Sequence, residues 1–290
     1  MARLMIDPVM LWWTGLSAAP LLNVTGWAYS AARFQRHKES LRGSMLEHRR
    51  LLLWLAAVYV LGCAFRSFLP MVDVPRICLH DTEVSRIAVG RSVATVAELC
   101  FAMQWAVLLW EALTAAGRPY ARSVSLAVMA LIGIAEISSW LAVLTTNNFF
   151  HAVENSLWTA AAVFAILVCA SLRTHVDDQS RRFLNATIGC GALYVLFMVS
   201  VDVPMYVSRW LDDLAASHQS LSLSEGLQAI LQRCRVVRAW TAWRDDVTWL
   251  SLYFTVAVWI SIVLPHTPAF HGAGGLQRGS LKPSAAAAGD

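Results

Sequence analysis

Among the ionisable residues inside or at the edges of long apolar runs are Glu98, Glu136, His151, Glu154 and Asp202. An ionisable side chain at membrane depth is costly and is kept where it does work, so these five are the catalytic candidates. Their spacing groups them. Arg91, Thr95 and Glu98 share one helical face, as do Glu136, Ser139 and Asn147, and as do His151, Glu154 and Asn155. Asp202 has Tyr206 one turn on, and Arg66 closes an earlier run.

His151 and Glu154 are the candidate ligands for a divalent transition metal, whose bound water would be the nucleophile with Glu154 or Asp202 as general base. Helical di-iron sites use Glu-x-x-His, and here the order is reversed. Arg66 and Arg91 can hold a phosphate or carboxylate headgroup, which makes a lipid the natural substrate, with Asn147 and Asn155 completing the substrate-binding set. The same residues also fit plain structure: Arg91 with Glu98 as an intramembrane ion pair, and His151 with Glu154 and Asn155 as a hydrogen-bonded helix start.

The elements that position them are membrane helices. The chain of 290 residues is 57% hydrophobic and only 14% charged, an apolar excess that needs lipid. Seven runs are long enough to span, about 9–32, 51–69, 89–113, 124–146, 150–172, 183–207 and 247–264. Backbone groups in hydrocarbon must pair within their own segment and the runs lack period-2 alternation, so the fold class is all-α: a polytopic bundle of seven transmembrane helices.

Arg33, Arg36, Lys38, Arg42, Arg49 and Arg50 crowd the first connection, which places it in the cytoplasm, the N-terminus outside and the C-terminus inside. Glu98, Glu136, His151, Glu154 and Asp202 then fall in the outer half and line one polar cavity opening outward. Two outer connections are more than turns. Residues 70–88 are polar and fold over the mouth. Within 208–246, Ser222 and Glu225 have capping-box spacing, and the apolar positions that follow predict an amphipathic interfacial helix over about 223–238, anchored by Trp240 and Trp243. Cys78 and Cys234 lie in these two connections and are the disulfide candidates. Residues 266–290, rich in Gly and Ala, read as a disordered cytoplasmic tail.

Several functions are excluded by missing chemistry. The only lysines are Lys38 and Lys282, so no span can carry a retinal Schiff base. Only His151 lies near a span, so a bis-histidine haem has no ligands. No basic patch with motif context points to nucleic acid. What remains is an integral multi-pass protein of a bacterial inner membrane or a eukaryotic endomembrane. Its leading reading is an enzyme acting on a lipid or amphiphile, with a proton-coupled carrier and a structural or assembly subunit as the alternatives.

Overall fold

In this computed structural model, which describes residues 7–41 and 43–270, helices take up 79% of the described residues. In chain order they are α1 (Pro8–His37), α2 (Ser44–Phe68), α3 (Ile87–Ala115), α4 (Ala121–Thr145), α5 (Asn148–Leu172), α6 (Asp178–Ala215), α7 (Leu223–Ile230), the single turn α8 (Trp240–Trp243) and α9 (Val247–His266). Six of these, α2 to α6 and α9, are long and apolar enough to cross a membrane. The long α1 has the length, about 45 Å for its 30 residues, but is not among those six. Thr14, Ser17, Asn23, Thr25 and Ser30 dilute its apolar run.

Local chemistry starts several helices where they start. Asp7 accepts from the Val9 amide to cap α1, Asn147 from Phe149 to cap α5, and Asp177 from Gln179 and Ser180 to cap α6. Sequence-adjacent helices pack on one another from α1 to α6, and α9 closes against α1 and α2. Buried amides tie this seam. Gln104 on α3 donates to the carbonyls of Leu52 on α2 and Ser261 on α9, and Ser261 donates back to Gln104. Asn23 on α1 donates to the Phe254 carbonyl, which lies in a π turn of α9 (Tyr253–Ala257).

The end of the bundle where α2 stops and α3 begins carries a lid. Strands β1 (Met71–Val72), β2 (Ile77–Cys78) and β3 (Arg235–Val236) form a small sheet, with β1 antiparallel and β3 parallel to β2. A disulfide joins Cys78 to Cys234 with their Cα atoms 5.8 Å apart. The helix expected over 223–238 is shorter. It spans Leu223–Ile230, with the capping box of Ser222 and Glu225 in place, after which the chain is drawn into β3. Trp243 is no interfacial anchor: it is fully buried, donates to the Val237 carbonyl and packs against Trp12. At the opposite end, the tail expected from 266 begins as packed chain. Thr267 and Phe270 are buried, Phe270 lies against Phe183, and Arg49 donates to the Pro268 carbonyl. Residues 271–290 of that expected tail lie outside the described residues.

Candidate functional site

Under the lid, Arg91 is the hub of a buried polar network. Its Nη2 donates to Glu98 at 2.5 Å and to Glu136 at 2.8 Å, so the predicted face of α3 does form a pair and α4 joins it. Nη1 lies 3.6 Å from Glu154 on α5 and 3.7 Å from Asp73 in the lid. Thr95 donates to Glu136 at 2.7 Å and accepts from Trp140. Tyr253, presented from α9 at its π turn, donates to the other oxygen of Glu98 at 3.0 Å.

Beside the hub, His151 Nδ1 lies 2.8 Å from Glu154 Oε2, so the carboxylate holds the imidazole with Nε2 turned away. Tyr206 packs on the His151 ring at 5.0 Å between centroids. Asp202 reaches the same region through a π turn of α6 (Met198–Asp202). Pro204 supplies the physical reason for that turn, because it has no amide to donate to the turn before it. Asp202 is buried and within electrostatic range of Glu154, His151, Arg209 and Asp246. The structure therefore brings Glu98, Glu136, His151, Glu154 and Asp202 into one neighbourhood.

The binding candidates divide. Arg91 is the hub, and Arg66 is buried beside it, 3.9 Å from Asp73 and donating to the Met71 carbonyl. Asn147 is committed to capping α5, and Asn155 donates to the His151 carbonyl of its own helix. Three residues that matter here were not singled out in the sequence. Asp73 lies in the polar stretch 70–88, Tyr253 inside an apolar run, and Asp246 directly before that run. Asp246 is in fact buried, paired in a two-pronged bond with Arg209 at 2.9 and 3.2 Å and accepting from Trp249.

Charge balance sets what the site can do. Four carboxylates, Asp73, Glu98, Glu136 and Glu154, face two guanidiniums, Arg66 and Arg91. Counting the His151 imidazole as charged still leaves one carboxylate in excess, and burial requires that excess to be met by a proton or a cation. One oxygen of Glu136 and one of Asp73 lack any hydrogen-bond partner. Among the described residues, the set able to converge on a metal is Glu98, Glu136 and Glu154, whose oxygens lie within 4.8 Å of one another, and it does not include His151. Three carboxylates suit a hard cation such as Mg²⁺ or Ca²⁺ better than the transition metal expected from His151 and Glu154. The guanidinium of Arg91 already bridges Glu98 and Glu136, so any such ion competes with it.

Over the site, the lid is fastened by Arg76, which donates to the Val143 carbonyl at the end of α4, and by the exposed Arg233, paired with Asp81 and Glu83. The His80 ring packs tilted against Trp13 at 4.5 Å between centroids, and its burial together with the nearby Arg238 holds its imidazole below the ordinary histidine range.

No family model, curated protein or solved structure matches this chain. Its function is argued from the site alone.

Proposed function

We propose that this protein is a seven-span membrane enzyme, with α1 as the seventh span, the lid end outside and the C-terminus in the cytoplasm, acting on a lipid or amphiphile that reaches the carboxylate site from the bilayer beside α6. The carrying observation is the packing of α6. Around its middle turns Ala192, Leu193, Leu196, Val199, Ser200 and Val201 are exposed, and Met198 and Asp202 form a narrow buried strip. Tyr194, itself 37% exposed, is within electrostatic range of Glu98, Glu154 and Asp202. Tyr194 thus has an exposed side on the apolar face of α6 and lies within electrostatic range of the carboxylates. A substrate with a long apolar part and a polar head suits that boundary.

In this reading Glu154 orients His151 through Nδ1, and Nε2 takes or returns a proton at the substrate head. Asp202 bears on the same proton from α6, while Arg91 keeps Glu98 and Glu136 in place. The test uses nanodiscs made from a total membrane lipid extract, with lipid conversion followed by mass spectrometry. Wild type is expected to convert a lipid species, while His151→Gln and Glu154→Gln do not, although each still melts in one cooperative transition. Absence of conversion by wild type across extracts refutes the reading.

The carboxylate excess favours one second reading, a proton-coupled carrier. It expects uptake driven by a pH gradient and abolished by Glu136→Gln.

A further inference from the structure

At the opposite end of the bundle from the lid, α1 and α2 together line a cavity of about 500 Å³. Its wall runs from Trp27 and Leu53 at the deep end, past Trp54, to Gln35, Lys38 and Arg50 at the mouth. Lys38 lies eleven residues beyond Trp27, so the two ends of the cavity stand about 16 Å apart along the helix. The deep part is aromatic and aliphatic, and Trp27 is fixed there because its Nε1 donates to the Leu53 carbonyl. Lys38 and Arg50 are both exposed, and neither has an ion-pair partner among the described residues. Trp54 is 65% exposed, which places a large ring at the rim, as membrane proteins do at headgroup level.

We infer that this cavity is a binding site for an anionic phospholipid, with Lys38 and Arg50 holding the phosphate and one acyl chain lying along Trp27, Leu53 and Trp54. Three observations carry it: a cavity within the size range of small-ligand sites, two uncompensated cations at one end only, and an apolar remainder at the depth of hydrocarbon. Free phosphate would satisfy the cations and leave the aromatic half empty. A zwitterionic lipid would fill the aromatic half while its own cation opposes Lys38 and Arg50. An anionic lipid satisfies both ends. The site is remote from the Arg91 network, so the inference stands or falls independently of the enzyme reading.

The test is native mass spectrometry of the full chain in mild detergent, titrated separately with phosphatidylglycerol, phosphatidylcholine and inorganic phosphate. A basic residue at a membrane surface contributes roughly fivefold in affinity, so two predict a preference for phosphatidylglycerol of roughly 30-fold. Lys38→Ala with Arg50→Ala should erase that preference, and Trp54→Ala should weaken both lipids alike. Arg118→Ala with Arg122→Ala, cations at another site of the same end, should leave it unchanged. Lys38 and Arg50 are exposed, so the double variant should fold, and an unchanged melting temperature checks it. Equal binding of the two lipids by wild type, an undiminished preference in the double variant, or displacement of the lipid by inorganic phosphate would each overturn the inference.

Discussion

Replacing Arg91 with methionine removes the one group that touches four carboxylates at once. The substitution keeps an unbranched apolar stem and deletes bonds of 2.5 and 2.8 Å to Glu98 and Glu136, together with the 3.6 and 3.7 Å contacts to Glu154 and Asp73. Removing one partner of a buried ion pair costs about 3–5 kcal/mol, because the other charge is left uncompensated. Here Arg66 alone remains against four carboxylates, so the upper end, about 5 kcal/mol, is expected. At roughly 2 °C per kcal/mol for a chain of this size, the melting temperature should fall by about 10 °C. The assay is intrinsic tryptophan fluorescence during heating of the purified protein in nanodiscs. Adding Glu98→Gln and Glu136→Gln to Arg91→Met should return about half of the loss, since the stranded charges are then gone. A fall of less than about 2 °C for Arg91→Met, or no recovery in the triple variant, would refute the network as the organising centre of the bundle.

Further outcomes follow from the lid and from α6. A Cβ on Gly226 would stand 2.0 Å from the Leu144 carbonyl oxygen, so Gly226→Ala should lift α7 from the end of α4 and open 221–238 to limited proteolysis while the disulfide stays formed. The folded lid holds the His80 imidazole below its ordinary range, so the unfolded lid binds the proton more readily. The stability this gives is full above about pH 6.5 and lost as pH falls through the folded value. The protection factors of amides across 71–86, taken against the intrinsic exchange rate at each pH, should therefore fall on acidification from pH 7 to 5, and His80→Phe should abolish that dependence. Asp246→Asn weakens the pair that ties the lid end of α6 to α9, and should cost about 2–4 kcal/mol because Arg209 loses its charged partner at a buried carboxyl. The check is a lower melting temperature with protease access gained in α6 before α3.

Helical spacing made much of the site readable in advance. Arg91, Thr95 and Glu98 form one face of α3, and His151 and Glu154 one face of α5, because contacts at i+3, i+4 and i+7 depend only on the helix being a helix. What was not readable depends on tertiary placement. Asp73 enters the network from a lid whose strands are two residues long, and no periodicity exists in two residues. Tyr253 reaches Glu98 from the far end of the chain. The apolar positions Leu231 and Cys234 continue the helical pattern of α7, yet pairing with β2 and the disulfide claim that stretch, so a local preference lost to a tertiary one. Asp246 stood where a helix dipole alone explains a carboxylate, which hid its pairing with Arg209. In α1, polar residues that weaken the apolar signal are the ones that grip α9, as Asn23 and Ser30 do.

The central claim is that the carboxylate site is approached from the bilayer beside α6, and photo-crosslinking at position 194 tests it most directly. A photoreactive phenylalanine analogue replacing Tyr194, irradiated in native membranes, is predicted to yield a lipid adduct, with the buried Ala161 position as a control that yields none. Adducts from position 194 that join only to peptides of α3 or α9, with no lipid captured, would contradict the account.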